Sequence, residues 1–253
     1  QAIAKSCNVY FYTVGVQTGI DTIDSWAKAF GLGEKTGIEI SEYAGYRSNP
    51  ATMKLRERDI YHIWSDSDTA QTSIGQLYTL FTPLQLCNYA SALANGGNLN
   101  TPHVILRVSN GAGEPVYEDT ELNQASVSTG ASSWALYLVK QGMQEMADTN
   151  VNAISAFKSF PKGFVCAKTG TPQTGMEALG ESSHSVFICF APADDPEIAV
   201  SIVIEHGASG SNSTPAAGKI LDAYFHTDTE LGSRTFAGYR YGWTSLVFEA
   251  SEE

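Results

Sequence analysis

Basic residues are scarce in this chain relative to acidic ones. Its 253 residues include 15 lysines and arginines against 27 aspartates and glutamates, which gives a formal net charge of −12. Such a surface repels nucleic acid phosphates, so no nucleic acid partner is expected. Solubility is the simplest explanation of the acidity. With 43% apolar and 17% charged residues, the composition is that of a globular protein and not of a disordered one.

Cysteines and long apolar runs are also few. The four cysteines, Cys7, Cys87, Cys166 and Cys189, include no CxxC pair, so a zinc ribbon or redox motif has no support. Buried free thiols are favoured for most of them. Cys166 and Cys189 fall on strands expected to be neighbours, and a disulfide or metal pair there stays open. No apolar run approaches the roughly 20 residues that span a bilayer, and no signal peptide opens the sequence. Neither absence assigns a cellular compartment.

The apolar spacing predicts an α/β domain with a mostly antiparallel sheet. Turn-rich, polar sequence predicts a long loop around 34–75, and Asn110-Gly111 predicts a turn between two short extended pieces. Thr82-Pro83 and Thr214-Pro215 each predict a capped helix start. The predicted helices cover 21–30, 83–95, 132–147 and 215–226, and the predicted strands 102–109, 114–119, 164–171, 185–192 and 197–206. The last two strands are joined by ADDP, a tight-turn composition. The tail 227–253 has no clear pattern.

The stretch Lys168-Thr169-Gly170-Thr171 ends an apolar strand. A lysine there places a cation at the lip of a sheet, and the glycine lets a substrate backbone approach closely. The threonine hydroxyls and backbone N–H groups can bind a carboxylate or an oxyanion. Short motifs recur by chance, and Lys35-Thr36-Gly37 is a second copy in this chain. That copy follows a glycine helix stop, which predicts a turn leading into a short strand.

Ser6-Cys7-Asn8 is the only Ser-x-Asn in the chain. A serine hydroxyl can relay a proton, and an asparagine amide can bridge a substrate carbonyl. Taken alone, the motif is better explained as a cap of the helix that follows, VYFYTVGV. Its pairing with Lys-Thr-Gly far downstream strengthens the functional interpretation of both.

These stretches resemble the transpeptidase domain of penicillin-binding proteins, particularly the monofunctional class B, elongation type. The resemblance covers nearly the whole chain, in SCNVYFY, FGLGEKTGIEI, SIGQLYTLFTPLQLCNYASALANGG, FVCAKTGTPQT and SVFICFAPADDPEIAVSIVIE. It implies the fold shared by these domains and the serine β-lactamases, an antiparallel sheet flanked by helices. Residues 1–226 would form the C-terminal part of that domain, and 227–253 an unplaced tail.

The family uses Ser-x-x-Lys, Ser-x-Asn and Lys-Thr-Gly, in that chain order. The resemblance therefore implies a Ser-x-x-Lys several dozen residues before Ser6, outside this sequence. Three strings fit Ser-x-x-Lys, starting at Ser25, Ser155 and Ser159, but all follow Ser-x-Asn and are interpreted as chance matches. The 253-residue chain alone is accordingly expected to be inactive.

The resemblance also implies a mechanism. The upstream serine would attack the carbonyl between the two terminal D-alanines of a peptidoglycan stem peptide, and an amine of a neighbouring stem would take the acyl group. Ser6 would pass a proton to the leaving amine, Asn8 would hydrogen-bond the peptide amide, and Lys168 would supply positive charge. Thr169 and Thr171 would hold the substrate carboxylate, with the Thr171 N–H in the oxyanion hole and Gly170 between them. No metal or organic cofactor is needed.

The implied partners are stem peptides, β-lactam antibiotics, the upstream Ser-x-x-Lys segment and a membrane glycan polymerase. The implied location is the outer face of the bacterial cell membrane, held by an N-terminal helix outside this chain. A serine β-lactamase and a non-catalytic β-lactam sensor or binding domain stay open as alternatives. The five histidines, His62, His103, His184, His206 and His226, lie in no triad context and are interpreted as surface or packing residues.

Overall fold

The computed structural model describes residues 1–57, 61–118 and 126–225. Its helices are α1 Asn8–Thr18, α2 Ile20–Ala29, α3 Pro50–Arg56, α4 Asp66–Ser73, α5 Pro83–Ala94, α6 Ser133–Thr149, α7 Val151–Ala156 and α8 Thr214–Phe225. Its strands are β1 Asn98–Asn100, β2 Arg107–Ser109, β3 Pro115–Glu118, β4 Ser126–Ser128, β5 Cys166–Gly170, β6 Ser185–Ala191 and β7 Ile198–Ile204. Short 3₁₀ helices cover Glu177–Leu179 and Gly210–Ser213. The predicted tail, 227–253, lies outside the described residues.

In the described part of the chain the main sheet has three antiparallel strands in the order β5-β6-β7. Lys168 is paired with Ile188, and Ile188 with Ser201. The sequence prediction of three adjacent antiparallel strands is therefore confirmed. Each strand carries apolar side chains on both faces, because the sheet is covered on both sides.

Helices cover the two faces of this sheet. On one face α6, α7 and α8 pack against a fully buried Phe187 and Cys189, with Leu221 of α8 also fully buried. On the other, α5 and α6 pack against Cys166 and Phe190. The expected antiparallel sheet flanked by helices, with the last helix packed on it, is confirmed. Within the three described ranges no helix has the length and apolar character needed to cross a membrane.

Helix α5 begins where the sequence predicts. The Thr82 hydroxyl accepts a hydrogen bond from Gln85 N at 3.2 Å, and the Gln85 side-chain oxygen accepts one from Thr82 N at 3.1 Å. This reciprocal pair is a capping box. Gln85 is 1% exposed and its amide also donates to Ala44 O at 2.7 Å, so the same side chain ties the 34–45 loop to α5.

The predicted loop over 34–75 is wrong in part, since α3 and α4 lie within it. Asn49 caps α3 by accepting from Thr52 N at 2.8 Å, and Pro50 takes the first helical position. Ser65 and Asp68 form a capping box at the start of α4. These helices have 7 and 8 residues and almost no apolar stripe. They are fixed by their ends, which hydrophobic periodicity does not detect.

Two further local predictions are wrong. Thr214 does not cap α8: it is the first residue of the helix, after a 3₁₀ turn, and its buried hydroxyl has no hydrogen-bond partner. No strand follows Lys35-Thr36-Gly37. The turn there is real, because the Glu42 carboxylate accepts from Thr36 N, at 2.9 Å, and from Gly37 N, at 2.8 Å. The predicted Asn110-Gly111 turn is also present, with the Asn110 side chain accepting from Ala112 N at 3.0 Å.

Candidate active site

Ser6 and Lys168 meet although 162 positions separate them in the sequence. Lys168 Nζ donates a hydrogen bond to Ser6 Oγ at 2.6 Å. This is the contact expected between the two motifs, and it belongs to the Lys168 copy. The other copy, at Lys35, sits in the turn bound by Glu42.

Two anchors position the Ser-x-Asn turn. Just before it, Ile3 packs against Gly142 of α6, where a Cβ would lie 2.8 Å from the Ile3 Cβ. Just after it, α1 packs on α4 through Gly15, where a Cβ would lie only 2.3 Å from the Ser73 Cβ. Ser73 Oγ also donates to Phe11 O at 2.9 Å. The turn is thus held between α6 on one side and α4 on the other.

The backbone at Ser6 is strained. Its φ of 50° lies in the left-handed region, which non-glycine residues seldom adopt and which is over-represented at functional sites. Helix α1 begins at Asn8 with Cys7 as its N-cap residue, and no side chain caps it. The interpretation of Ser-x-Asn as a helix cap is therefore wrong. The Ser6 hydroxyl accepts from the lysine instead, and the Asn8 side chain is exposed at the first helical position.

Lys168 is held by its own strand as well. Its ammonium donates to Thr169 O at 2.6 Å, in addition to Ser6. Burial lowers the pKa of Lys168, because the surrounding protein disfavours the charged form. A lysine held this way can supply a fixed positive charge and exchange a proton with the Ser6 hydroxyl more readily than an exposed one.

Strand β5, which contains Lys168, has one free edge, since in the described part of the chain only β6 pairs with this strand. His184 N donates to Pro172 O at 3.0 Å, so the backbone of Pro172 points towards β6. Backbone groups of successive strand residues point to alternate edges. The N–H and C=O of Thr169 and Thr171 therefore point to the open edge, in agreement with the Lys168–Thr169 contact. An extended peptide or a developing oxyanion can bind there.

The side chain of Thr169 lies on the face of the strand opposite to that of Lys168, and Thr171 follows directly after the strand. The Thr171 hydroxyl oxygen accepts a hydrogen bond from Gly210 N at 2.9 Å. Its proton is left to donate to another group. Gly170 lies between the two threonines, paired with Val186 of β6. Sequence reasoning missed Gly210, whose only signal is a Gly- and Ser-rich stretch directly before α8.

The alternative Ser-x-x-Lys strings lie elsewhere in the fold. Ser25 is exposed on α2 and Ser155 is exposed on α7. Ser159 hydrogen-bonds the Asp222 carboxylate, which ties the segment after α7 to α8. In none of these places is the serine hydroxyl the partner of the Lys168 ammonium, which binds Ser6.

All four cysteines are free, so a Cys166–Cys189 disulfide is wrong. The pairing places Cys189 opposite Ala167 and Cys166 opposite Phe190, and neighbouring residues along a strand point to opposite faces of the sheet. Burial raises the pKa of the Cys166 thiol to about 12 and that of Cys189 further. Among the described residues, no group of three His, Cys, Asp or Glu side chains is arranged to hold a metal.

The histidines stand outside this contact. His62 Nδ1 lies 3.0 Å from Glu57 Oε2, and His62 Nε2 lies 3.4 Å from Asp68 Oδ2. The hydrogen bond to Glu57 is the main cause that raises the pKa of His62. His184 accepts from His206 N at 3.0 Å through Nδ1. His226 lies outside the described residues.

A covered antiparallel sheet with Lys-Thr-Gly on its edge strand, facing a Ser-x-Asn turn at a helix start, defines the active-site-serine enzymes that react with penicillins. That class contains both cell-wall transpeptidases and serine β-lactamases. Residues 1–222 match the family described as penicillin binding protein transpeptidase domain, and the chain belongs to this family.

Known relatives agree with this assignment. Peptidoglycan D,D-transpeptidase MrdA of Haemophilus influenzae is 32% identical over 239 residues, which cover 89% of this chain and 36% of that protein. Penicillin-binding protein A from M. tuberculosis, solved as a penicillin G acyl-enzyme complex, is similar with a TM-score of 0.65 and 25% identity, over 88% of this chain and 47% of its own. A structure described as the structural coordination of polymerization and crosslinking by a peptidoglycan synthase complex is similar with a TM-score of 0.73 and 26% identity. The match covers 91% of this chain and 38% of that one. The chain thus spans about a third of the curated relative it matches.

Proposed function

We propose that this chain supplies the Ser-x-Asn and Lys-Thr-Gly half of a peptidoglycan D,D-transpeptidase. The observation that carries the proposal is the 2.6 Å contact between Lys168 Nζ and Ser6 Oγ. It joins a half-buried cation to an exposed hydroxyl, beside a strand edge with free backbone donors. That combination suits a peptide that ends in a carboxylate.

The nucleophile is a serine of a Ser-x-x-Lys segment that precedes Ser6, as the order of the family's motifs requires. Its hydroxyl adds to the carbonyl between two D-alanines, while the lysine of that segment takes the hydroxyl proton. Ser6, hydrogen-bonded to Lys168, returns a proton to the departing D-alanine amine. An amine from a neighbouring stem peptide then attacks the ester and releases the serine.

The remaining residues bind the substrate. Asn8 hydrogen-bonds the peptide amide from the start of α1. Thr169 and Thr171 donate to the terminal carboxylate, whose charge the Lys168 ammonium also favours. The Thr171 N–H, on the open edge of β5, donates to the oxyanion together with the N–H of the nucleophilic serine. Gly170 leaves the strand surface open to the substrate backbone.

The proposal extends to location and partners. The substrate lies outside the cytoplasmic membrane, so the site works on that side, held by a helix beyond this chain. Penicillins and other β-lactams imitate the D-alanine pair and form a stable acyl adduct. A glycan polymerase of the membrane is the proposed protein partner. The structure on polymerization and crosslinking by a peptidoglycan synthase complex supports this pairing for that relative.

The two Lys-Thr-Gly copies supply a matched test. In a protein that joins this chain to its Ser-x-x-Lys segment, benzylpenicillin should add its mass once, and Lys168→Ala should slow that addition sharply. Lys35→Ala, the control, should label at the wild-type rate, because its motif only forms a turn on Glu42. Intact-protein mass spectrometry over time measures both. Equal labelling of wild type and Lys168→Ala, or loss with Lys35→Ala alone, would show that the site is misassigned.

A further inference from the structure

Residues 208–213, which lie outside the recognised motifs, contact the end of the Lys-Thr-Gly strand. Gly210 is buried, and its N–H donates to Thr171 Oγ1 at 2.9 Å. A Cβ on Gly210 would lie 2.4 Å from Gly170 O and 2.8 Å from Gly170 N. Real Cβ atoms do not approach backbone so closely, and neither backbone atom can rotate away. The φ of Gly210 lies outside the left-handed region, so the position needs glycine for space and not for conformation.

This segment is also fixed to β6. Ala208 N donates to Ser183 O at 2.8 Å, just before β6 begins. The hydroxyls of Ser213 and Ser185 are hydrogen-bonded 2.5 Å apart, and both residues are fully buried. The Gly210 N–H is therefore held in place by contacts with β6 in addition to its own contact with Thr171.

The hydrogen bond sets the direction of the Thr171 hydroxyl. A backbone N–H can only donate, so Thr171 Oγ1 is the acceptor and its own proton must find another partner. Fixing the oxygen also fixes the side-chain rotamer, which otherwise would be free on an exposed strand end. A substrate carboxylate at the open edge of β5 would be the acceptor of that proton.

We propose that Gly210 is a positioning residue, which holds Thr171 ready to donate to the substrate carboxylate. This inference rests on the proposed function, because it concerns the carboxylate of the same substrate. Gly210 acts through Thr171 and has no contact with the reacting atoms. Its effect should therefore fall on ligands that carry the carboxylate and spare those that do not.

The test compares acylation by benzylpenicillin with acylation by its methyl ester, in the protein that joins this chain to its Ser-x-x-Lys segment. Gly210→Ala should slow acylation by the acid about 10- to 100-fold more than acylation by the ester, the range for losing one hydrogen bond to a charged group. Any slowing of the ester measures the displacement of Gly170 by the added Cβ. Gly111→Ala is the control, since a Cβ there meets nothing within 4 Å. Thr171→Ser, which keeps the hydroxyl, should retain the wild-type ratio of acid to ester rates, and Thr171→Val should lose it.

A second variant separates the hydrogen bond from the added atom. An amide-to-ester replacement at the Gly210 nitrogen removes the N–H without adding bulk, and should lower the acid-to-ester ratio as Gly210→Ala does. If this replacement keeps the wild-type ratio, or if Gly210→Ala slows both ligands equally, Gly210 is only structural and the inference is overturned. If the wild type itself is not acylated, the proposed function fails and takes the inference with it, which is a distinct result.

Discussion

Gly15→Ala tests whether the packing of α1 on α4 positions the Ser-x-Asn turn. In a helix interior, replacing glycine by alanine normally stabilises a protein by about 1 kcal/mol. At Gly15 the new Cβ would lie 2.3 Å from the Ser73 Cβ. Carbon atoms in contact stay about 3.5–4.0 Å apart, so the helices must separate by more than about 1 Å. The opposing Cβ is fixed to α4 and cannot rotate away.

The expected result is that Gly15→Ala does not stabilise the protein, as glycine-to-alanine changes in helices normally do. Overpacking of this kind costs about 1–3 kcal/mol, which exceeds or cancels the gain in helix propensity. If α1 moves as a rigid rod, the separation carries Ser6 out of its 2.6 Å contact with Lys168. A misplacement of about 1 Å can slow a reaction about 100-fold. The acylation rate should therefore fall sharply, while the free energy of unfolding changes only modestly.

In the protein that joins this chain to its Ser-x-x-Lys segment, urea unfolding gives the free energy of unfolding, and timed mass spectrometry with benzylpenicillin gives the acylation rate. Ser73→Gly, added to Gly15→Ala, removes the opposing Cβ and should restore acylation. Its own cost is about 1 kcal/mol for glycine at a helix end plus the lost hydrogen bond to Phe11 O. A Gly15→Ala protein that is more stable than wild type and acylated at the normal rate would refute the proposed role of this contact.

Three further predictions concern stability and reactivity. His62, whose pKa is raised by its carboxylate partners, stabilises the fold below its unfolded pKa of about 6.5. That contribution disappears as pH rises through the higher folded pKa, so the stability advantage of wild type over His62→Gln should shrink as the pH rises above about 6.5, and a constant difference would contradict it. Thr214→Val, which removes a buried hydroxyl without a partner, should stabilise by about 1 kcal/mol, whereas Thr82→Val should destabilise by about 0.5–2 kcal/mol because Thr82 caps α5; the two melting temperatures should move in opposite directions. A maleimide should label exposed Cys7 in the folded protein and reach buried Cys166 only after denaturation, which peptide mapping can check.

The strands of the main sheet were predictable because their signal is local. Two apolar runs joined by ADDP at 193–196 predict β6 and β7 without any tertiary information. The start of α5 was predictable for the same reason, since Thr82-Pro83 is a cap and a helical first position in adjacent residues. In each case the residues that decide the structure lie within a few positions of one another.

The remaining features depend on contacts between distant parts of the chain. Helices α3 and α4 lack an apolar face, and short capped helices resemble polar loop sequence. The pairing of Ser6 with Lys168 was expected from the family's motifs and not from periodicity. The Gly- and Ser-rich stretch that contains Gly210 does not reveal its role, because its need for space arises from the backbone of Gly170, 40 positions earlier.

Synthesis of a cross-linked peptide tests the proposed transpeptidase most directly. The protein that joins this chain to its Ser-x-x-Lys segment would be given a stem peptide ending in D-Ala-D-Ala together with an acceptor amine. Mass spectrometry should show one D-alanine released for each cross-linked product, both lost in Lys168→Ala and retained in Lys35→Ala. Penicillin hydrolysis with repeated turnover, and no D-alanine release from the stem peptide, would instead identify a β-lactamase and contradict the proposed function.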